Sequence, residues 1–97
     1  MSRRITQNAV NAFEAKRNWS SDNTTVTATN GTIVLSLHGN AIAKVNRLGT
    51  LRVTTAGWNT PTTKERLNGI PGVSVYTKRG QLYLNDKKWN GKWTVVK

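Results

Sequence analysis

Apolar residues recur along this chain with two different periods, and the change falls near residue 24. Before it, Ile5, Ala9, Ala12 and Phe13 share one face at helical spacing with Val10 beside them, which predicts an amphipathic helix capped by Ser2 or Thr6. Residues 18–23, which hold Trp19 and Asp22, read as a polar break. From Thr24 onward the period becomes two. Residues 25–29 and 32–38 are β-branched runs around Asn30-Gly31, a strong two-residue hairpin signal. That turn sets Ala28 opposite Ile33 and Val26 opposite Leu35. A second tight turn at Gly39-Asn40 would pair Leu37 with Ile42, and a four-residue loop over 46–49 would pair Ile42 with Val53 and Lys44 with Leu51. The predicted apolar face therefore runs through Ile33, Leu35, Leu37, Ile42, Leu51 and Val53, with Arg52, His38 and Thr54 opposite it. Lys44 is the misfit, expected at the rim with its stem on apolar surface.

Further on, Thr60 as cap, Pro61 at the first position and Asn68-Gly69 as the stop predict a short helix near 61–68. Arg79-Gly80 then turns residues 73–78 back on 81–85, which pairs Tyr76 with Tyr83 on one face and Val75 with Leu84 on the other. Residues 86–88 are expected to turn into a short final strand carrying Trp89, and 93–96 close the chain. The prediction is one α+β domain over 1–97: a curved antiparallel β-sheet with the N-terminal helix on its apolar face and a short second helix. Residues 1–23 supply the helix and break, and 24–97 the β-rich body.

Charge adds what periodicity cannot. Lys and Arg number 15 against four acidic residues, a net charge of +11 over 97 residues. Such an excess repels itself in the compact state and is characteristic of proteins that meet a polyanion. The cations are spread through sequence that looks folded rather than gathered in a basic tail. There is no cysteine and only one histidine, His38, which removes disulfides, thiolate chemistry and histidine-built metal sites. Four acids make a two-metal carboxylate site improbable, so neither a metal nor a cofactor is expected. No apolar run approaches the ~20 residues that span a bilayer, and the first residues lack the apolar stretch of a secretory signal. The expected setting is soluble and intracellular, with no membrane partner.

Four sets of residues could carry chemistry. Tyr76, Tyr83 and Lys78, with Arg79 at the turn, would form a basic aromatic face able to stack bases and hold phosphates. A cross-strand tyrosine pair that merely braces a hairpin is the structural alternative. Of the four tryptophans, Trp58 and Trp89 are expected to be exposed and Trp93 to fill the core. Residues 58–66 offer a helix start beside threonine hydroxyls, Lys64 and Arg66 as a phosphate seat. His38, with Glu65 or Asp86 as carboxylate partner, is the one enzymatic prospect, a metal-independent ribonuclease.

Arg4-Ile5-Thr6-Gln7-Asn8-Ala9-Val10-Asn11-Ala12-Phe13, then Leu37-His38-Gly39-Asn40-Ala41-Ile42-Ala43, and the stretch from Thr55-Ala56-Gly57-Trp58 to Leu67-Asn68-Gly69 resemble small uncharacterised proteins encoded by tailed bacteriophages. Leu84-Asn85 to Trp89-Asn90-Gly91 resembles the ending of that family. The resemblance implies a phage source and a place in the host-cell cytoplasm; it implies no mechanism and transfers no functional residues. The leading expectation is a non-catalytic DNA- or RNA-binding protein. Its phosphate contacts would be Arg47, Arg52, Lys64, Arg66, Lys78, Arg79, Lys87, Lys88 and Lys92 on one contiguous surface, and Tyr76, Tyr83, Trp58 and Trp89 would stack bases. An inhibitor docking on an acidic surface of a host polymerase or defence complex is the runner-up, and the His38 ribonuclease comes third.

Overall fold

The structure, a computed structural model, describes residues 4–58 and 60–96. Ser2, Arg3, Asn59 and Lys97, which enter the sequence-based expectations, lie outside them. Helix α1, Arg4–Glu14, buries Ala9, Val10, Ala12 and Phe13, as the 3.6-residue period requires. Thr6 does not cap it; its side chain is buried inside the helix. The C-terminal end closes with Lys16 in the left-handed region (φ 58°), the amide of Arg17 bonding the carbonyl of Ala12 at 3.1 Å.

The polar break is in fact a strand. β1, Trp19–Ser21, pairs with β2, Thr24–Thr29, across a two-residue turn in which Asp22 has positive φ. β2 pairs with β3, Thr32–Leu37, around Asn30-Gly31, both at positive φ, and Val26 faces Leu35 and Ala28 faces Ile33 as the turn chemistry dictates. The next hairpin departs from expectation. His38 and Gly39 are the turn residues (φ 53° and 80°), so Leu37 meets Asn40 in β4, Asn40–Val45, and not Ile42. Ser36 then faces Ala41 and Leu35 faces Ala43, which leaves Ile42 as a bulge. The extra residue lets Ile42 and Ala43 both bury, and it reverses the phase of the rest of β4.

Across the 46–50 loop, β5, Leu51–Val53, is shifted by one from its predicted register: Ala43 faces Val53, Lys44 faces Arg52 and Val45 faces Leu51. Lys44 is therefore not a rim residue of the apolar face. It lies on the opposite face, beside Arg52, with its Nζ 4.5 Å from the ring centre of Trp93.

Helix α2, Pro61–Asn68, starts as predicted, with the Thr60 hydroxyl accepting from the Thr63 amide at 3.2 Å. Gly69 ends it in a right-handed conformation (φ −72°); what requires glycine is space, since a Cβ there would lie 2.5 Å from Thr6 on α1. β6, Val75–Lys78, β7, Gln81–Leu84, and β8, Lys87–Lys88, form a second sheet of three strands. The chain then leaves it. β9, Thr94–Val96, pairs with β5 and completes a six-stranded sheet in the order β1-β2-β3-β4-β5-β9, antiparallel throughout.

One apolar core joins both sheets and both helices, from Phe13 and Leu35 to Leu67, Leu84 and Trp89. The crossing from β8 to β9 is pinned at Gly91, whose carbonyl accepts from the Thr54 hydroxyl (2.5 Å) and the Thr55 amide (2.9 Å). Gly91 has φ 82°, and a Cβ there would sit 2.5 Å from the Thr55 hydroxyl. Thr54, expected on the outer face, is buried in this clasp.

Candidate nucleic-acid interface

The last hairpin forms in the register that Arg79-Gly80 dictates, with Tyr76 opposite Tyr83, Lys78 opposite Gln81, and Tyr83 opposite Lys88 on its other side. Period-two alternation sends Val75, Leu82 and Leu84 into the core and leaves Tyr76, Lys78, Gln81, Tyr83 and Lys88 on the outer face. The two phenol rings are half-buried and stack nearly parallel, 5.2 Å apart with 10° between planes. Beside them a shallow depression of about 340 Å³ is lined by Lys78, Arg79, Gln81, Tyr83 and Lys88. The three cations are exposed and form no ion pair or side-chain hydrogen bond among the described residues. The carboxylate next to this face, Asp86, accepts a 2.9 Å hydrogen bond from the Tyr76 hydroxyl. That bond, then desolvation and the negative charge of Asp86, hold the Tyr76 phenol above its ordinary value.

The other predicted contacts are not part of this face. Lys87 points to the opposite side of its strand, paired with Leu84. Arg47 lies across Gly31 at another turn, and Arg52 sits with Lys44 on the outer face of the large sheet. Lys92 is exposed in the crossing after Trp89. Lys64 donates to the Thr77 hydroxyl at 2.9 Å. Three of the nine cations thus meet beside the tyrosines, and no contiguous strip of all nine exists.

Arg66 is a correction. It is 2% exposed, with its guanidinium donating to the hydroxyls of Thr24 (3.1 Å) and Thr6 (2.7 Å) and to the Glu65 carboxylate, so it offers nothing to a phosphate. With the hydroxyls of Thr60 and Thr63 bonded to each other at the cap, the phosphate seat read from residues 58–66 is not assembled.

Two tryptophans exchange roles. Trp89 is 6% exposed and fills the junction of the two sheets, its indole N–H donating to the Lys92 carbonyl (3.0 Å) and the Thr94 hydroxyl (2.8 Å). Trp93, expected in the core, is 42% exposed beneath Lys44. Trp58 is open to solvent, as expected, at 58%.

The His38 imidazole is hydrogen-bonded to neither proposed carboxylate among the described residues; Glu65 is engaged with Thr6 and Arg66, and Asp86 with Tyr76. No group of three or more metal-ligating side chains occurs among the described residues. Sequence reasoning missed Gln81 as a member of the face, although the turn that placed Tyr83 also places Gln81 opposite Lys78.

The family model for the Kyanoviridae Gp96 protein matches residues 2–95. The chain belongs to that family. It is therefore a tailed-phage protein, as the resemblance implied, and the match takes in both sheets, both helices and the tyrosine face. No curated protein and no solved structure matches it. No helix among the described residues of this Kyanoviridae Gp96 family member is long and apolar enough to cross a membrane.

Proposed function

We propose that this phage protein binds nucleic acid without catalysis, in the host-cell cytoplasm, through the outer face of its three-stranded sheet. The observation that carries the reading is the stacked pair Tyr76 and Tyr83 beside three cations, Lys78, Arg79 and Lys88, that have no ion pair among the described residues. Stacking on Tyr83 suits bases that are not already stacked in a duplex, so the favoured ligand is a single strand.

Titration of single-stranded and duplex DNA and RNA across a salt series tests it. Three phosphate contacts predict a log–log slope of about −2 for a single strand, steeper if scattered cations add to it. Tyr83→Ala should weaken single-strand binding by about 1–3 kcal/mol with little change of slope. Absence of binding at low salt, or an affinity indifferent to salt, overturns the reading.

The runner-up, docking on an acidic host protein, has its own support. Trp93 and Val95 are exposed near Lys44 and Arg52 on the outer face of the large sheet. A host partner that is retained after exhaustive nuclease treatment and lost on Trp93→Ala favours that reading instead.

A further inference from the structure

A second cavity, of about 290 Å³, lies between the β3–β4 turn and the start of α2. Its volume is at the bottom of the range for small-molecule sites, roughly 300–1,000 Å³. The floor is apolar, made by Leu37 and the bulged Ile42, and the indole of Trp58 forms part of the wall. Around the opening, polar groups divide into two sets. The hydroxyls of Thr60 and Thr63 are spent on the helix cap, and that of Thr55 on the Gly91 carbonyl. The Trp58 indole N–H, the His38 imidazole, the Thr62 hydroxyl and the Asn40 carboxamide oxygen have no hydrogen-bond partner among the described residues. Among the described residues no Lys or Arg lines the cavity.

That combination selects a ligand class. Without a cation in its lining, the cavity offers a phosphate no countercharge. A purely apolar occupant would leave unsatisfied whichever of these donors and acceptors it shielded from water, which offsets what the apolar contact returns. A flat ring that stacks on the indole and carries donors and acceptors on its edge satisfies both sets. We propose that this cavity is a nucleobase pocket, with Trp58 as the stacking wall and His38, Asn40 and Thr62 reading the ring edge. The pocket stands apart from the tyrosine face and does not depend on it, because the base itself is uncharged.

The base could arrive as a free nucleoside or as part of a strand, and the experiment has an arm for each. Adenosine, guanosine, cytidine and uridine are titrated separately while the Trp58 indole N–H and the backbone amides of His38, Asn40 and Thr62, which remain in every Trp58 variant, are followed by NMR; a short single-stranded oligonucleotide is the second arm, and toluene the apolar control. The expected result is a saturable shift with at least one nucleoside or with the oligonucleotide, and tighter binding than toluene. Trp58→Ala should weaken nucleobase binding by about tenfold or more. Thr62→Val should do so more modestly. Saturation by a nucleoside identifies a free-base site; saturation by the oligonucleotide alone identifies a base carried by a strand.

In the combined variant Lys78→Ala/Arg79→Ala/Lys88→Ala, nucleoside binding should be unchanged, so failure of the cation face and failure of the pocket read out differently. The proposal is overturned if neither nucleosides nor the oligonucleotide shift the indole resonance, if toluene binds as well as every nucleobase, or if Trp58→Ala binds undiminished. Trp58 is open to solvent, so its replacement leaves the fold intact, which the unchanged spectrum outside the pocket verifies.

Discussion

Where the two helices meet, the guanidinium of Arg66 is enclosed by Thr6, Thr24 and Glu65. On the outer face of the small sheet, Lys78, Arg79 and Lys88 stand around Tyr83 with no ion pair to any of them among the described residues. The charges are alike and their uses are opposite. Arg66 ties α1, α2 and β2 together through one side chain, whereas removal of any of the other three would leave the fold's hydrogen bonds as they are. A count of cations therefore does not locate a binding surface; the set of groups that each cation already touches does.

The largest effect should come from breaking the enclosed side. Arg66→Ala removes one partner of the Glu65 carboxylate and leaves the buried Thr6 and Thr24 hydroxyls without the donor they accept from, at a cost of about 2–4 kcal/mol. Against the ~5–15 kcal/mol that holds a typical domain, that is a large fraction. Denaturant unfolding should show the midpoint falling steeply. Loss of less than about 1 kcal/mol would mean that the guanidinium is dispensable to the helix junction and that the contrast between the two regions is unfounded.

Arg66 also marks where the sequence misleads and why. Thr63, Arg66 and Leu67 share one face of α2 at spacings of three and four, and that face is buried. The periodicity is present in the sequence, but an arginine two positions after a lysine looks like solvent-facing helix unless its acceptors, 42 and 60 residues away in sequence, are known. Local chemistry was legible wherever it was self-sufficient. Asn30-Gly31, Arg79-Gly80 and the Thr60-Pro61 start each determine their own turn or cap, and the registers of β2–β3 and β6–β7 result from them.

What a non-local partner decides was hidden. An inserted residue such as Ile42 is invisible to alternation counting, because Ala41, Ile42 and Ala43 are all apolar and any of them can face inward. The exchange between Trp89 and Trp93 turns on β9 leaving the small sheet for β5, which no residue near either tryptophan encodes. The candidate face divides the same way: the tyrosine pair, Lys78 and Arg79 come from one hairpin and were legible together, while the other seven cations, Lys88 among them, were joined to that surface by their charge.

A smaller effect should appear on the exposed side. The combined variant Lys78→Ala/Arg79→Ala/Lys88→Ala should change thermal stability by no more than a few degrees, since isolated surface charges contribute little. Its affinity for single-stranded nucleic acid should fall, and the salt slope should become shallower by about 2. An unchanged slope would move the phosphate contacts to the cations dispersed over the rest of the surface. A collapse of stability would show that these side chains brace the small sheet, and the difference from Arg66 would vanish.

The smallest effect belongs to the acid at the margin of the exposed face. Asp86 is spent on the Tyr76 hydroxyl rather than on any of the three cations, and that hydrogen bond is the first cause of the raised Tyr76 ionisation. The bond exists only while the phenol keeps its proton. Because the folded-state value is the higher one, its contribution is intact below the ordinary phenol range near 10 and is lost as pH rises through the raised value. Asp86→Asn should bring the Tyr76 ionisation, tracked by tyrosinate absorbance, back toward the ordinary range. It also removes a negative charge beside Lys78, Arg79 and Lys88 without disturbing the tyrosine stack. If that face receives phosphate, affinity for a single strand should rise, by a few-fold at most because the site is open to solvent and salt. A fall in affinity would give the carboxylate a different part, that of holding Tyr76 in the plane a base requires, and would shift the emphasis from the cations to the rings.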